Sequence, residues 1–371
     1  MMKLNNQKGL SLVELLVAMV LGIFLMGQVV QVVVNGKRTF QMEQELSQIQ
    51  ENARFALEFI AQDIRMAGYT GCNANAANIS NAINSASSAF NTIGVNGFEH
   101  AAGTGTYPGS ISGIVLANTD AIMIGRADSD SEFNVTGHNS GTSVFTLAKN
   151  HPFQEGAFLM VADANCNHIG VFQQSNVPAV PSALVAHTAG GTSAPTNCTA
   201  LLGQLAPDQY VTCSIGTPAT KVYGAGSKLM PFVNNTYYIA PSVSLGGVPA
   251  LWREPIGGTD EELVQGVENI QLSYGVDSNN DGIADRYGRA NQILAFAETS
   301  EPANDTPTGP NGTVDWNDVV SVRVSLLMRS MSSVLDTATA NPALDGAPVP
   351  TDRFLRQTVV ATVQLRNGGL L

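Results

Sequence analysis

Between Leu15 and Val34 the chain has twenty consecutive residues without a charge. As a helix that run is about 30 Å long, the thickness of a bilayer's hydrocarbon core. Lys3 and Lys8 stand before it, and Lys37 and Arg38 follow it. The helical signal does not end at Val34. From Thr39 to Ala67 there is no proline or glycine, and the first proline of the whole chain is Pro108. Leu46, Ile49, Ala53, Leu57, Ile60 and Ile64 recur at three- and four-residue spacing, which is one apolar stripe of a helix. Glu43, Glu45, Glu51, Glu58 and Asp63 fall mostly off that stripe, and Arg54 is spaced to pair with Glu51 and Glu58. Gly68 is the expected terminator. Residues 10–67 therefore predict a rod of roughly 85 Å, with Gly22, Gly27, Asn35 and Gly36 as places where it would bend.

The front of this rod reads K-G-L-S-L-V-E, residues 8–14. A plain membrane anchor gains nothing from Glu14, since a carboxylate near the centre of a span costs about 2.5–3.5 kcal/mol. A cleaved secretory signal leaves both Glu14 and the long helix unexplained, and N-G-K-R-T-F after Val34 is a poor cleavage site. The stretch resembles a class III signal, the type IV prepilin motif. The resemblance implies that prepilin peptidase cuts between Gly9 and Leu10 and N-methylates Leu10, making Glu14 the fifth mature residue. Usually that first residue is Phe, and here it is Leu. A fresh amino group at the end of an apolar helix needs a counter-charge. Glu14, on the same rod or a neighbouring one, supplies it and sets the register of stacked rods.

Residues 50–72, Q-E-N-A-R-F-A-L-E-F-I-A-Q-D-I-R-M-A-G-Y-T-G-C, resemble the segment after the membrane helix in PilW-type minor pilins. So do L-W-R-E-P (251–255), E-L-V-Q-G-V-E-N-I-Q-L-S-Y-G-V-D (262–277) and the terminal L-R-N. The J-type pseudopilins of type II secretion share the general plan. The expected fold is α+β and pilin-like. A long N-terminal helix, transmembrane and then amphipathic, packs on a large antiparallel β-rich head with long loops. The expected divisions are a leader at 1–9, a membrane and assembly half at 10–34, an amphipathic half at 35–67 and a head at 68–371.

Within the head, residues 73–110 and 175–219 read as long polar loops. Strand signals fall at Gly113–Ala117, Ala121–Arg126, Ser143–Lys149, Ala157–Ala162, His168–Gln173, Tyr237–Ala240, Ala250–Arg253, Ile270–Val276, Val319–Arg329 and Thr358–Arg366. The last two alternate, or run apolar, in the manner of central antiparallel strands. Cys72, Cys166, Cys198 and Cys213 contain no C-x-x-C pair, and in an exported chain their even number implies two disulfides with three open connectivities. Cys198 and Cys213 are near enough in sequence to pair locally, leaving Cys72 for Cys166.

Asp277, Asn279, Asp281 and Asp285 fit D-x-N-x-D-G-x-x-D, an oxygen-rich turn of the type that wraps Ca²⁺. The twelfth position of an EF-hand loop would be Gly288, so the nearer likeness is to the thrombospondin-type repeat. A metal-free Asn/Asp/Gly hairpin is the competing reading. No cofactor is otherwise required. The five histidines show no metal or metalloprotease spacing, G-S-I-S-G at 109–113 has Ile111 where a nucleophile elbow needs serine, and no enzyme motif is present. A formal net charge of −12 and no basic run longer than Lys37-Arg38 argue against a nucleic-acid surface.

The resemblance implies a minor pilin that helps start pilus assembly, supporting twitching, attachment or DNA uptake. Its partners would be prepilin peptidase, other minor pilins, the major pilin and the inner-membrane assembly platform. It would sit in the inner membrane with its head in the periplasm, and then at the pilus tip. A secretion pseudopilin and a tip adhesin are the alternatives.

Overall fold

The computed structural model describes residues 11–72, 79–83, 93–99, 107–108, 110–175, 182–190, 195–203, 219–279, 281–295, 316–339, 344 and 350–367. Helix α1 (Leu12–Met66) is a single element of 55 residues, about 82 Å long. It runs without interruption through Gly22, Gly27 and Gly36, the expected bend points. It stops where Gly68 takes a φ of +74°, a left-handed value that suits glycine. Its buried positions are Ile49, Ala53, Ala56, Ile60, Ala61, Asp63 and Ile64, so only the C-terminal third carries the head.

The head contains two sheets. The first has eleven strands: β1 (Ile79–Asn81), β2 (Gly94–Phe98), β3 (Ala121–Ala127), β4 (Phe133–Asn139), β5 (Val144–His151), β6 (Phe158–Ala162), β7 (Ile169–Gln173), β8 (Ser182–Ala186), β9 (Lys228–Pro241), β10 (Pro249–Pro255) and β11 (Glu261–Gln265). The long β9 is its hub, pairing with β3, β4, β6 and β10. The second sheet has four strands, β12 (Val267–Val276), β13 (Arg286–Gly288), β14 (Val319–Ser333) and β15 (Phe354–Gln364), in the order β13-β12-β14-β15. Helix α1 packs on this second sheet. Ile49, Ala53, Ile60 and Ile64 share one core with Leu272 of β12, Val322, Val324, Leu326 and Met328 of β14, and Val363 of β15. Val95, Ile122, Ile124 and Tyr237 join the same core from the first sheet. Burying a side chain of this size stabilises by about 1.5–3 kcal/mol, so the helix is held chiefly by its apolar stripe.

Among the described residues the antiparallel expectation holds with one exception, because β1 pairs with β7 in parallel. Several local readings are corrected. Gly113–Ala117 is a turn, closed by bonds from the Ile114 and Val115 amides to the Ile111 carbonyl, and it tucks Ile111 against the core beside Tyr238. The region 73–110 is not all loop, since β1 is fully buried and β2 pairs with β3. The loop at 175–219 likewise holds β8. The residues of β11 and the first half of β9 show too little alternation to announce themselves, and β4 alternates only from Phe133 to Thr136 before Gly137 and a polar end. Their pairing is made by partners far away in sequence, which local patterning does not report.

Cys72 and Cys166 form a disulfide across 94 residues, tying the end of the helix to the β6–β7 turn. Cys198 is also disulfide-bonded, and Cys213 lies outside the described residues. Cys72→Ser is expected to lower unfolding stability by about 2–5 kcal/mol in denaturant titration under oxidising conditions. A midpoint unchanged from the native chain would show that the bond contributes nothing.

Candidate functional site

The N-terminal part of the rod is the first functional surface. Every residue from Leu12 to Gln44 is exposed, including Leu15, Leu21, Ile23, Phe24, Val30 and Val33. By length and composition this helix can cross a membrane, and none of its most apolar stretch is covered by the head. Large contiguous apolar surface of this kind marks a membrane or an assembly interface.

Glu14 stands in the first turn of the rod, and its local role was not read from the sequence. Ser11 is the N-cap, its hydroxyl accepting from the Val13 amide, while Glu14 Oε2 accepts from the Ser11 amide at 3.0 Å. This is a capping box, which satisfies two of the helix's unpaired N-terminal donors. The spacing S-x-x-E was legible in the sequence all along. Gly9 and Leu10 lie outside the described residues.

The second feature is the junction of rod and head. Asp63, which the stripe analysis put mostly off the apolar face, is in fact buried at 6% exposure, deep enough to need partners. Its Oδ2 accepts from the Tyr237 hydroxyl and from Asn235 Nδ2, each at 2.7 Å. Its Oδ1 accepts from Arg126 Nη2 at 3.2 Å. Burial first, and then the Asp63 charge, push the Tyr237 hydroxyl far above the usual phenol range, so it remains a donor. Two further bonds lie nearer the N-terminal end of the rod. The Met331 amide donates to Glu45 Oε2 at 2.9 Å, and Arg38 pairs with Asp336 at 2.8 Å. The Arg38 pair is exposed and contributes little.

The loop carrying Asp277, Asn279, Asp281 and Asp285 is brought together, but around its own backbone. Asp277 accepts from the amides of Asn279, Asp281 and Gly282, and Asn279 Oδ1 accepts from the Asp281 amide. Asp285 accepts from the Ser278 amide and hydroxyl, each at 2.8 Å, and those bonds hold its carboxyl below the usual range. Gly282 sits at φ +81°, the sharp turn expected of it. Among the described residues no three His, Cys, Asp or Glu side chains are grouped to hold a metal. The loop is closed by Asx-type bonds to its own backbone.

Cys166-x-His168 is no metal half-site either. Cys166 is in the disulfide, while Asp163 and Lys221 form an ion pair at 3.0 Å beside the His168 ring.

A pair of histidines that spacing could not reveal does meet. His138 Nε2 and His187 Nε2 are 2.9 Å apart, among Phe145, Phe172 and Tyr223. His138 Nδ1 accepts from the Tyr223 amide, so its proton sits on Nε2 and is donated to His187. Burial lowers His138 to about 4, and burial together with His138 lowers His187 to about 3. Both rings are neutral in the fold. Because the unfolded chain takes up these protons first, their contribution is complete above about pH 6.5 and is lost as pH falls toward 4 and 3. His187→Phe is expected to flatten the decline in melting temperature between pH 6.5 and 4. A decline as steep as that of the native chain would mean that other groups cause it.

With the geometry in view, comparison with known families is informative at both ends of the chain. Residues 4–27 match the prokaryotic N-terminal methylation motif, the segment that contains the capped start of the rod. Residues 236–367 match PilW, the type IV pilus-assembly protein W. That region takes in the end of β9, the strands β10 and β11, and the whole sheet on which the rod lies. No curated protein and no solved structure matches the chain. The chain thus carries an N-terminal methylation motif at the start of its rod and resembles the type IV pilus-assembly protein W over the sheet on which the rod lies, which relates it to the pilins of type IV pili.

Proposed function

We propose that the chain is a priming subunit, which joins other low-abundance pilins in a complex that starts pilus polymerisation and stays at or near the tip. Prepilin peptidase removes residues 1–9 between Gly9 and Leu10 and methylates the Leu10 amine. The segment 10–34 anchors the subunit in the inner membrane, 35–67 lifts the head, and 68–371 forms the head in the periplasm. Assembly extracts the rod and stacks it on others, with Glu14 facing a neighbour's amine. The major pilin and the inner-membrane assembly platform are the remaining partners, and twitching, attachment or DNA uptake is the cellular outcome.

One observation carries this reading. A rod of 55 residues leaves its apolar half uncovered and starts with a motif for N-terminal methylation. A subunit that only needed an anchor would have no use for a second helical half locked rigidly to the head. Deleting the gene and counting surface pili tests the proposal. Loss of pili is expected. Normal pilus number with lost attachment would make the head an adhesin, and normal pili with failed protein export would make the chain a secretion pseudopilin.

A further inference from the structure

Among the described residues β15 pairs with β14 alone, so one of its edges is open. The register identifies what that edge presents. The Leu365 amide donates to the Val320 carbonyl, and the Val322↔Val363, Val324↔Ala361 and Leu326↔Val359 pairs follow in the same phase. In an antiparallel ladder the intervening residues turn their N–H and C=O groups the other way. Thr358, Val360, Thr362 and Gln364 therefore aim both backbone groups outward, and all four are exposed, Val360 to 56%. Open edges are ordinarily blunted by charge, proline, bulges or brevity. Here Gln357–Leu365 has no charge and no proline, and its register with β14 is regular. It is a nine-residue template for a strand from elsewhere.

The direction of β15 limits what that strand belongs to. Ser333 lies opposite Phe354, close to where the Met331 amide meets Glu45, and the Arg366 amide meets the Arg65 carbonyl at 3.2 Å. So β15 climbs beside α1 in the same direction, from the level of Glu45 to that of Arg65. Two copies joined antiparallel through this edge would point their rods in opposite directions, which subunits anchored in one membrane cannot do. Two copies joined in parallel would carry their rods on opposite faces of the joint sheet, where the apolar halves do not pack together. The opposite edge of the same sheet, β13, has three residues and is too short to cover β15.

We propose that the open edge of β15 docks an uncharged, extended segment of a different pilin subunit, adding a strand to the sheet on which the rod lies. This rests on the priming role proposed above and names how its lateral contact is made. The interface is continuous with the rod, so rod stacking and strand addition would register together.

The test uses the full-length chain in its own cells. Val360→Pro removes one outward N–H and leaves the β14 ladder intact, because proline is tolerated on the solvent side of an edge strand. It is expected to leave processing unchanged and the melting temperature within a few degrees, yet to reduce the chain in sheared pili about tenfold or more. A photo-crosslinking residue in place of Thr362 should join to a strand of another pilin, and Val360→Pro should abolish that product. If Val360→Pro unfolds the head, Val360→Lys with Thr362→Lys takes its place. Wild-type entry of the edge variant into pili, or crosslinks only to a second copy of this chain, would overturn the proposal. Absence of the native chain from pili would instead overturn the priming role, and the crosslink in membranes would still decide the edge.

Discussion

Glu14→Gln is expected to leave the start of the rod capped and the chain processed, but to reduce its incorporation into pili tenfold or more. The substitution separates two roles that coincide in one side chain. In the structure Glu14 closes a capping box with Ser11, and a glutamine at that position accepts the same amide bond. What glutamine lacks is the charge that a neighbouring subunit's terminal amine would pair with. Glu14→Ala removes both roles, and loss of the cap alone costs about 0.5–2 kcal/mol. The informative comparison is Gln against Ala in sheared pili, with mass spectrometry checking cleavage between Gly9 and Leu10. If Gln is incorporated like the native chain and only Ala fails, the carboxylate is a helix cap and its charge has no part in assembly.

Asp63→Ala should cost about 3–5 kcal/mol, among the largest losses of any single change at the junction of rod and head. The cost does not come from the ion pair's attraction. It comes from the partners left behind, since Arg126 has only 18% of its side chain exposed and would lose its counter-charge. Tyr237 and Asn235 would lose their acceptor in the same step. These groups fasten the first sheet to the rod, so the expected sign in the cell is a processed subunit whose head is readily digested. Asp63→Asn keeps an acceptor for Tyr237 and should lose less. Arg126→Met combined with Asp63→Ala should recover part of the loss, because the stranded charge is gone. Denaturant titration of the detergent-solubilised full-length chain measures all three against the native chain, and a loss below about 1 kcal/mol for Asp63→Ala would show that Asp63 does not fasten the first sheet to the rod.

Much of the architecture was legible without coordinates because its signals are local and repeated. An uncharged twenty-residue run, a helical stripe ending at Gly68 and two alternating C-terminal segments each state their structure within a short window. The capping box is equally legible from the spacing of Ser11 and Glu14. The apolar turn at Gly113–Ala117 was misread because a short apolar run has the same composition whether it pairs as a strand or plugs a core.

By itself the sequence determined the rod, its exposed apolar half, the processing motif and the β-rich character of the head. All of these follow from the order of residues along a few turns of chain. Only tertiary structure decided that Asp63 faces inward, that His138 meets His187, that the 277–285 loop spends its oxygens on its own amides, and that β15 has an uncovered edge running with the rod. The reason is physical. The Asp63 and histidine contacts join groups 49 to 174 residues apart, the loop bonds depend on which of several nearby amides each oxygen takes, and a sheet's open edge exists only once the chain has folded back on itself.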